Sequence, residues 1–357
     1  MKTATTPETP AGAPSGRAAS AAAEAVLPRS RLDLRPLGLL ALLVGLAWPA
    51  IGSTPTWLTL TVAGLAMGLI IFVIASGLTL VFGLMDVLNF GHGVFIAAGA
   101  FVATSVLAGM ADWTGSASLA DNLAAVGVTM LVAMAVTGAL GLAFERVIVR
   151  PVYGQHLKQI LITMGGMIIG EELIKVIWGP QQIALPLPEA LRGAVLLGSG
   201  PDAAAIEKYR LLAVAIGLGV FALLLWTLNR TKLGLLIRAG VQDREMVESL
   251  GYRIHRLFVG VFAAGSALAG LGGVLWGLYQ QSVVPQIGAQ INTLLFIVII
   301  IGGLGSTLGC FVGALLVGLL ANYAGFLAPK VALFSNIGLM VAVLLWRPQG
   351  LYPVAGR

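Results

Sequence analysis

The chain is short of nearly everything that soluble catalysis and metal binding draw on. It has a single cysteine, Cys310, set in an apolar run, so it can build neither a disulfide framework nor a cysteine-rich metal site. Its 3 histidines, His92, His156 and His255, are scattered and form no His-Glu zinc spacing. A membrane-embedded enzyme needs a convergent acid, base, nucleophile or metal set, and none is visible. No Gly-Lys dipeptide occurs anywhere, and without Gly-Lys-Ser/Thr a chain cannot cradle nucleotide phosphates in a P-loop. Charged residues are only 10% of the 357, against about 25% in a soluble domain, so most of this chain cannot face water.

What is present is apolar: 58% hydrophobic residues, with 47 glycines. A helix crosses the bilayer core in roughly 20 apolar residues, and runs of that kind recur from Leu37 to Trp346. Only helices and closed barrels satisfy their backbone in lipid, and runs this long are not barrel strands. Spans are expected near 37–51, 57–82, 91–110, 123–148, 159–178, 209–229, 257–279, 289–303, 306–326 and 332–346. The pieces flanking 83–90 and 303–305 read as halves of broken or re-entrant helices, which would lower the count. The fold class is therefore an all-α polytopic membrane protein of about 8–10 transmembrane helices. Residues 1–35, rich in Ala, Pro, Ser and Thr, read as a disordered cytosolic tail, and 36–357 as the membrane domain.

The net charge of +6 marks sidedness, not nucleic acid. Lys and Arg gather in the tail, between Arg146 and Lys158, between Arg230 and Arg256, and at Arg347 and Arg357. An even number of spans puts these regions on one side. By the positive-inside rule that side is the cytoplasm, with both termini inside. The longest loop opposite, from about Gly179 to Lys208, reads as a small lid or hairpin.

Three patterns carry functional content. Residues 77–100 interrupt an apolar run with Asp86, Asn89 and His92 among Gly83, Gly91 and Gly93. This is either a short turn between spans or a broken segment lining a cavity. A Gly-rich spacing recurs at 303–314 and hints at internal symmetry. Glycines four apart, as in Gly64/Gly68, Gly166/Gly170, Gly273/Gly277 and Gly305/Gly309/Gly313, favour close packing within the subunit, with a subunit interface as the alternative. Glu171 and Lys175 form an i,i+4 pair in the favourable order. Finally, the polar island 230–256 contains a short amphipathic helix from Arg238. Met246, Val247, Leu250 and Ile254 share one face, and Gly251 is placed to close it with a left-handed cap.

Three passages, 77–103 (GLTLVFGLMDVLNFGHGVFIAAGAFVA), 145–180 (ERVIVRPVYGQHLKQILITMGGMIIGEELIKVIWGP) and 238–279 (RAGVQDREMVESLGYRIHRLFVGVFAAGSALAGLGGVLWGLY), followed by 297–320 and the basic end RPQGLYP, together resemble the permease subunits of branched-chain amino acid ABC importers. The resemblance covers about 55–353. It implies two cytosolic ATP-binding subunits, a second related permease and a periplasmic solute-binding protein as partners, in the bacterial inner membrane. No cofactor or nucleic acid is implied. It assigns ATPase coupling to 238–254, with Arg238, Asp243, Arg244, Glu245, Glu248 and Gly251. A substrate path is expected near Asn89, Gly91, His92 and Gly93, and near Gly303, Gly305 and Ser306. Urea and short-amide permeases look similar. A self-sufficient secondary carrier or channel is the alternative from another class; it usually needs an intramembrane charge relay, which is not evident.

Overall fold

The computed structural model describes residues 33–198, 203–242 and 244–353. The chain divides into two units, Met1–Arg35 and Pro36–Arg357; the expected tail lies almost wholly outside the described residues. Helices stand at all ten places where the apolar runs predict them. They are α1 (Arg35–Ile51), α2 (Thr54–Met85), α3 (His92–Gly109), α4 (Leu119–Phe144), α5 (His156–Trp178) and α6 (Lys208–Arg230), then α9 (Ile254–Gln280), α10 (Ile287–Gly302), α11 (Thr307–Leu327) and α12 (Pro329–Trp346). Two short helices, α7 (Lys232–Gln242) and α8 (Arg244–Ser249), fill the polar island between α6 and α9.

Among the described residues 6 helices are long and apolar enough to cross a membrane unaided, and α1, α10 and part of α12 are shorter apolar helices. α5 has the length, 23 residues, but carries Lys158, Glu171, Glu172 and Lys175. The helices end where local chemistry dictates. The Ser118 hydroxyl caps α4 by accepting from Asp121 N–H at 3.3 Å, and Ser306 caps α11 by accepting from Gly309 N–H at 3.1 Å. Among the described residues strand pairing is confined to two small antiparallel pairs: β1 (Ile183–Ala184) with β4 (Ser282–Val283), and β2 (Ala194–Leu197) with β3 (Ala204–Glu207).

α2 is the hub, buried almost continuously from Ala63 to Phe82, with α11, α9 and α6 packed around it. The approach is close because the contacts are glycine on glycine. Gly318 of α11 faces Gly64 and Gly68 of α2, and Gly77 of α2 meets Gly265 of α9. Lipid tails are as apolar as leucine, so van der Waals contact between small residues is what holds such helices. The small-residue spacing thus serves packing within the chain.

The helices also pair by geometry. α2 and α3 are separated by the non-helical residues 86–91, and α9 and α10 by 281–286, which include the β4 pair. Each break opens on a left-handed residue that is not glycine, Asp86 and Gln281, both at φ 53°. α9 starts against Met85, the end of α2, so the two helices run antiparallel and the breaks enter from opposite faces. They meet inside the bundle, where Gly93 and Gly288 pack backbone to backbone. This is an inverted-topology pairing of the kind transporters use. The segment that meets 86–93 inside the bundle is 281–288, whereas the glycines of 303–314 build a tight turn between α10 and α11 whose Gly305 lies against Gly83.

A Cβ at Gly318 would overlap the α2 backbone, and overpacking of this kind costs about 1–3 kcal/mol. Gly318→Val should lower the melting temperature in detergent and the yield of monodisperse protein. Gly338→Ala, whose Cβ meets nothing within 4 Å, should leave both unchanged.

Candidate functional site

α2 ends at Met85, yet His92, the first residue of α3, has Nε2 3.2 Å from the carbonyl oxygen of Ile74. Ile74 lies eleven residues before Met85, about 16 Å at 1.5 Å per residue. Residues 86–91 therefore double back into the bundle. Non-helical backbone at that depth is tolerated only when protein supplies its partners. Phe90 N–H donates to Thr163 Oγ1 of α5 at 3.2 Å, and Asn292 Nδ2 of α10 donates to the Phe90 carbonyl at 3.1 Å. The Phe90 ring lies 4.6 Å from that of Phe296. Gly91 must lack a side chain, because a Cβ there would strike the Phe144 ring and come within 3.1 Å of both Asn89 Oδ1 and the Thr163 carbonyl.

Unsatisfied polarity concentrates around this break. Asn89 is fully buried, with neither Nδ2 nor Oδ1 partnered among the described residues. Gln159 Oε1, one turn before Thr163 on α5, Asn292 Oδ1 and Glu145 Oε2 are in the same state. Glu145 is completely buried in a π-helical turn (Glu145–Val149) and accepts a 2.7 Å hydrogen bond from the Tyr153 hydroxyl through Oε1. Each buried unpaired group costs about 1–3 kcal/mol. Five of the seven such side-chain atoms among the described residues belong to these four residues, a concentration that marks function better than packing. Glu145, Tyr153, Gln159, Thr163 and Asn292 were not singled out from the sequence. A polar residue inside an apolar run was the available signal for Thr163 and Asn292; Glu145 and Gln159 are masked by charged neighbours.

The expected path residues fall in two places. Asn89, Gly91, His92 and Gly93 make up the break and the start of α3. Where Gly93 meets Gly288, a crevice of about 10 Å³ opens towards Val94, Ala97, Met167, Glu171 and Ile174, room for at most one water. Glu171 is paired with Lys175 at 3.0 Å. Gly303, Gly305 and Ser306 instead form the α10–α11 turn, with Gly303 and Gly305 at φ 98° and 81°. The last described residues strap that turn: Leu351 N–H donates to the Ile301 carbonyl at 2.9 Å and Tyr352 N–H to the Gly302 carbonyl at 3.0 Å. A Cβ at Gly83, in the last turn of α2, would lie 3.1 Å from Gly305, and this contact is what links the two groups.

The expected coupling segment is helical over Lys232–Gln242 and Arg244–Ser249. Gly251 takes the left-handed cap at φ 87°, as its position predicts. The expected apolar face divides: Val247 and Ile254 are buried with Phe258 against Met85, whereas Met246 and Leu250 are 58% and 67% exposed. The body of the protein covers one side of α8, and the other apolar pair is presented outward beside the exposed Glu245 and Glu248. Next to it, residues 251–256 and Glu248 frame a surface notch of about 410 Å³. Arg238 is turned back, its Nη1 donating at 2.6 Å to the Leu228 carbonyl in the last turn of α6, where a cation complements the helix terminus. Asp243 and the Arg244 side chain lie outside the described residues.

The family described as branched-chain amino acid transport system / permease component matches residues 60–344. The chain belongs to that permease family. It is 31% identical over 301 residues to the high-affinity branched-chain amino acid transport system permease protein BraD of Pseudomonas aeruginosa, covering 81% of this chain and 94% of that one. It is 26% identical to the corresponding permease protein LivH of Escherichia coli K12, covering 81% and 92%, and 27% identical to LivM of the same organism, covering 89% and 75%. No solved structure matches. In this permease, then, the break that begins at residue 86 and the polar segment 230–256 meet at Met85.

If Asn89 is kept for transport and not for folding, Asn89→Leu should leave the melting temperature of the purified permease unchanged or raise it, since an unpaired buried amide is replaced by an apolar isostere. Lower thermal stability in that variant would make Asn89 structural.

Proposed function

We propose that this permease carries branched-chain amino acids inward across the bacterial inner membrane as part of an ATP-driven importer. Its partners are two cytosolic ATP-binding subunits, a second related permease and a periplasmic solute-binding protein. Both termini are cytoplasmic. Family membership supports the class, and similarity to both LivH and LivM of one organism supports a machine with two different permeases. The clustering of Lys and Arg at the end that carries the coupling segment supports the orientation.

The observation that carries the mechanism is the seating of Val247, Ile254 and Phe258 on Met85, the last residue before the break. A push on 238–254 from closing ATP-binding subunits reaches α2 there and bears directly on 86–91. The Gly93–Gly288 contact passes it to the opposite break. Rocking of two packed halves around a central contact is a standard way to switch access. Asn89, Gln159 and Asn292 then gain partners from water or from the zwitterionic head of the substrate. The starts of α3 and α10, positive ends of helix dipoles, favour its carboxylate. Val94, Ala97, Met167 and Ile174 offer apolar contact to a branched aliphatic side chain.

Copurification with the neighbouring ATP-binding subunits tests the coupling. Glu245→Lys/Glu248→Lys should abolish it while the protein stays folded; undiminished binding would move docking elsewhere. Uptake by the reconstituted chain alone would replace the importer with a carrier or channel. In the complete system, competition by leucine but not urea separates the amino-acid reading from the urea one. Met85→Ala should keep ATP-binding subunits attached and hydrolysing while substrate uptake falls several-fold, because force no longer reaches the break.

A further inference from the structure

Between α6 and α9, at the end where the coupling segment lies, the described residues enclose an apolar groove of about 620 Å³. This volume is within the range of small-molecule sites, about 300–1,000 Å³. Its floor is a stripe of small residues on one face of α9, Gly260, Ala264 and Ala267, and its roof is Leu233 and Ile237 of α7. A Cβ at Gly260 meets nothing within 4 Å, so the floor is open. The lining extends along α9 from Arg256 to Leu268, twelve residues or about 18 Å. That is close to one leaflet of hydrocarbon, about 15 Å as half of the ~30 Å core.

The charge is as one-sided as the length is apt. Arg256 is the only charged residue in the lining and sits at the coupling end, where it also borders the notch that Glu248 helps to frame. Arg230, closing α6, and Lys232, opening α7, lie in the same end of the bundle, and all three are exposed. No ion pair is found for any of them among the described residues. An apolar channel one leaflet long with cations only at the headgroup level has the chemistry of a phospholipid, acidic at its head.

We propose that this groove holds one anionic phospholipid from the leaflet on the coupling side. An acyl chain lies along Gly260, Ala264 and Ala267, and the phosphate-bearing headgroup sits on Arg256 with Arg230 and Lys232 close by. Because α7 forms the roof, the lipid ties the first coupling helix to the spans and becomes part of the joint through which 232–254 acts. The inference is independent of which solute is carried.

The test is native mass spectrometry and lipid extraction of the full chain, purified in mild detergent from membranes containing phosphatidylethanolamine, phosphatidylglycerol and cardiolipin. The wild type should retain a stoichiometric phospholipid enriched in the anionic species over their share of the membrane. Gly260→Trp, which fills the open floor, should lose it with an unchanged melting profile; if that variant is unstable, Ala264→Leu serves instead. Arg256→Gln should keep a phospholipid but lose the anionic preference. No stoichiometric lipid in the wild type overturns the proposal, as does equal retention in the filled variants. So does disulfide capture of a second polypeptide by Gly260→Cys in native membranes, since the groove would then be filled by protein.

Discussion

In an apolar medium every backbone N–H and C=O needs a partner inside the protein, and the rest of this structure depends on that constraint. Helices meet it on their own. At the break 86–91, Phe90 meets it by borrowing side chains for both its backbone groups, Thr163 from α5 and Asn292 from α10. Those two loans fix which helices surround the break. They also bring in the neighbours of the lending residues, Gln159 one turn away and Gly93 against Gly288. The concentration of unpartnered polar atoms thus falls where the chain leaves the helix at depth.

Around that spot the packing is stiff. α2, α9 and α11 approach at glycine contacts with little room for sliding, and such interfaces shift between discrete arrangements instead of deforming smoothly. Under the proposed coupling, stiff surroundings give residues 238–254 something to push against. Val247, Ile254 and Phe258 bear on α2 at Met85, one residue from a left-handed Asp86. The rigid element and the irregular one are consecutive in the chain, so displacement of the first has to be absorbed by the second.

Much of this was legible in the sequence, for physical reasons that also mark its limits. Ten apolar runs became ten helices because length and hydrophobicity leave a segment in lipid few alternatives. Gly251 was readable because a left-handed helix cap favours glycine. Periodicity, however, fixes angles between residues and not which way the helix is rolled, so it grouped Met246 and Leu250 with Val247 and Ile254 when only the second pair faces inward. The meeting of the two breaks was not legible, since Val87 to Gly91 and Ser282 to Gln286 share no pattern. Glu145 and Gln159, lying beside ordinary loop charges, gave no hint that folding would bury them.

The strap across the α10–α11 turn has a consequence for the order of assembly. Ile301 and Gly302 offer their carbonyls to Leu351 and Tyr352, residues synthesised some fifty positions later. At about 5–20 residues per second the turn waits several seconds for its partners, with two acceptors exposed at the edge of the bilayer and Gly303 and Gly305 unsupported. Translation order therefore makes this turn one of the last parts of the bundle to set, however early α10 and α11 enter the membrane.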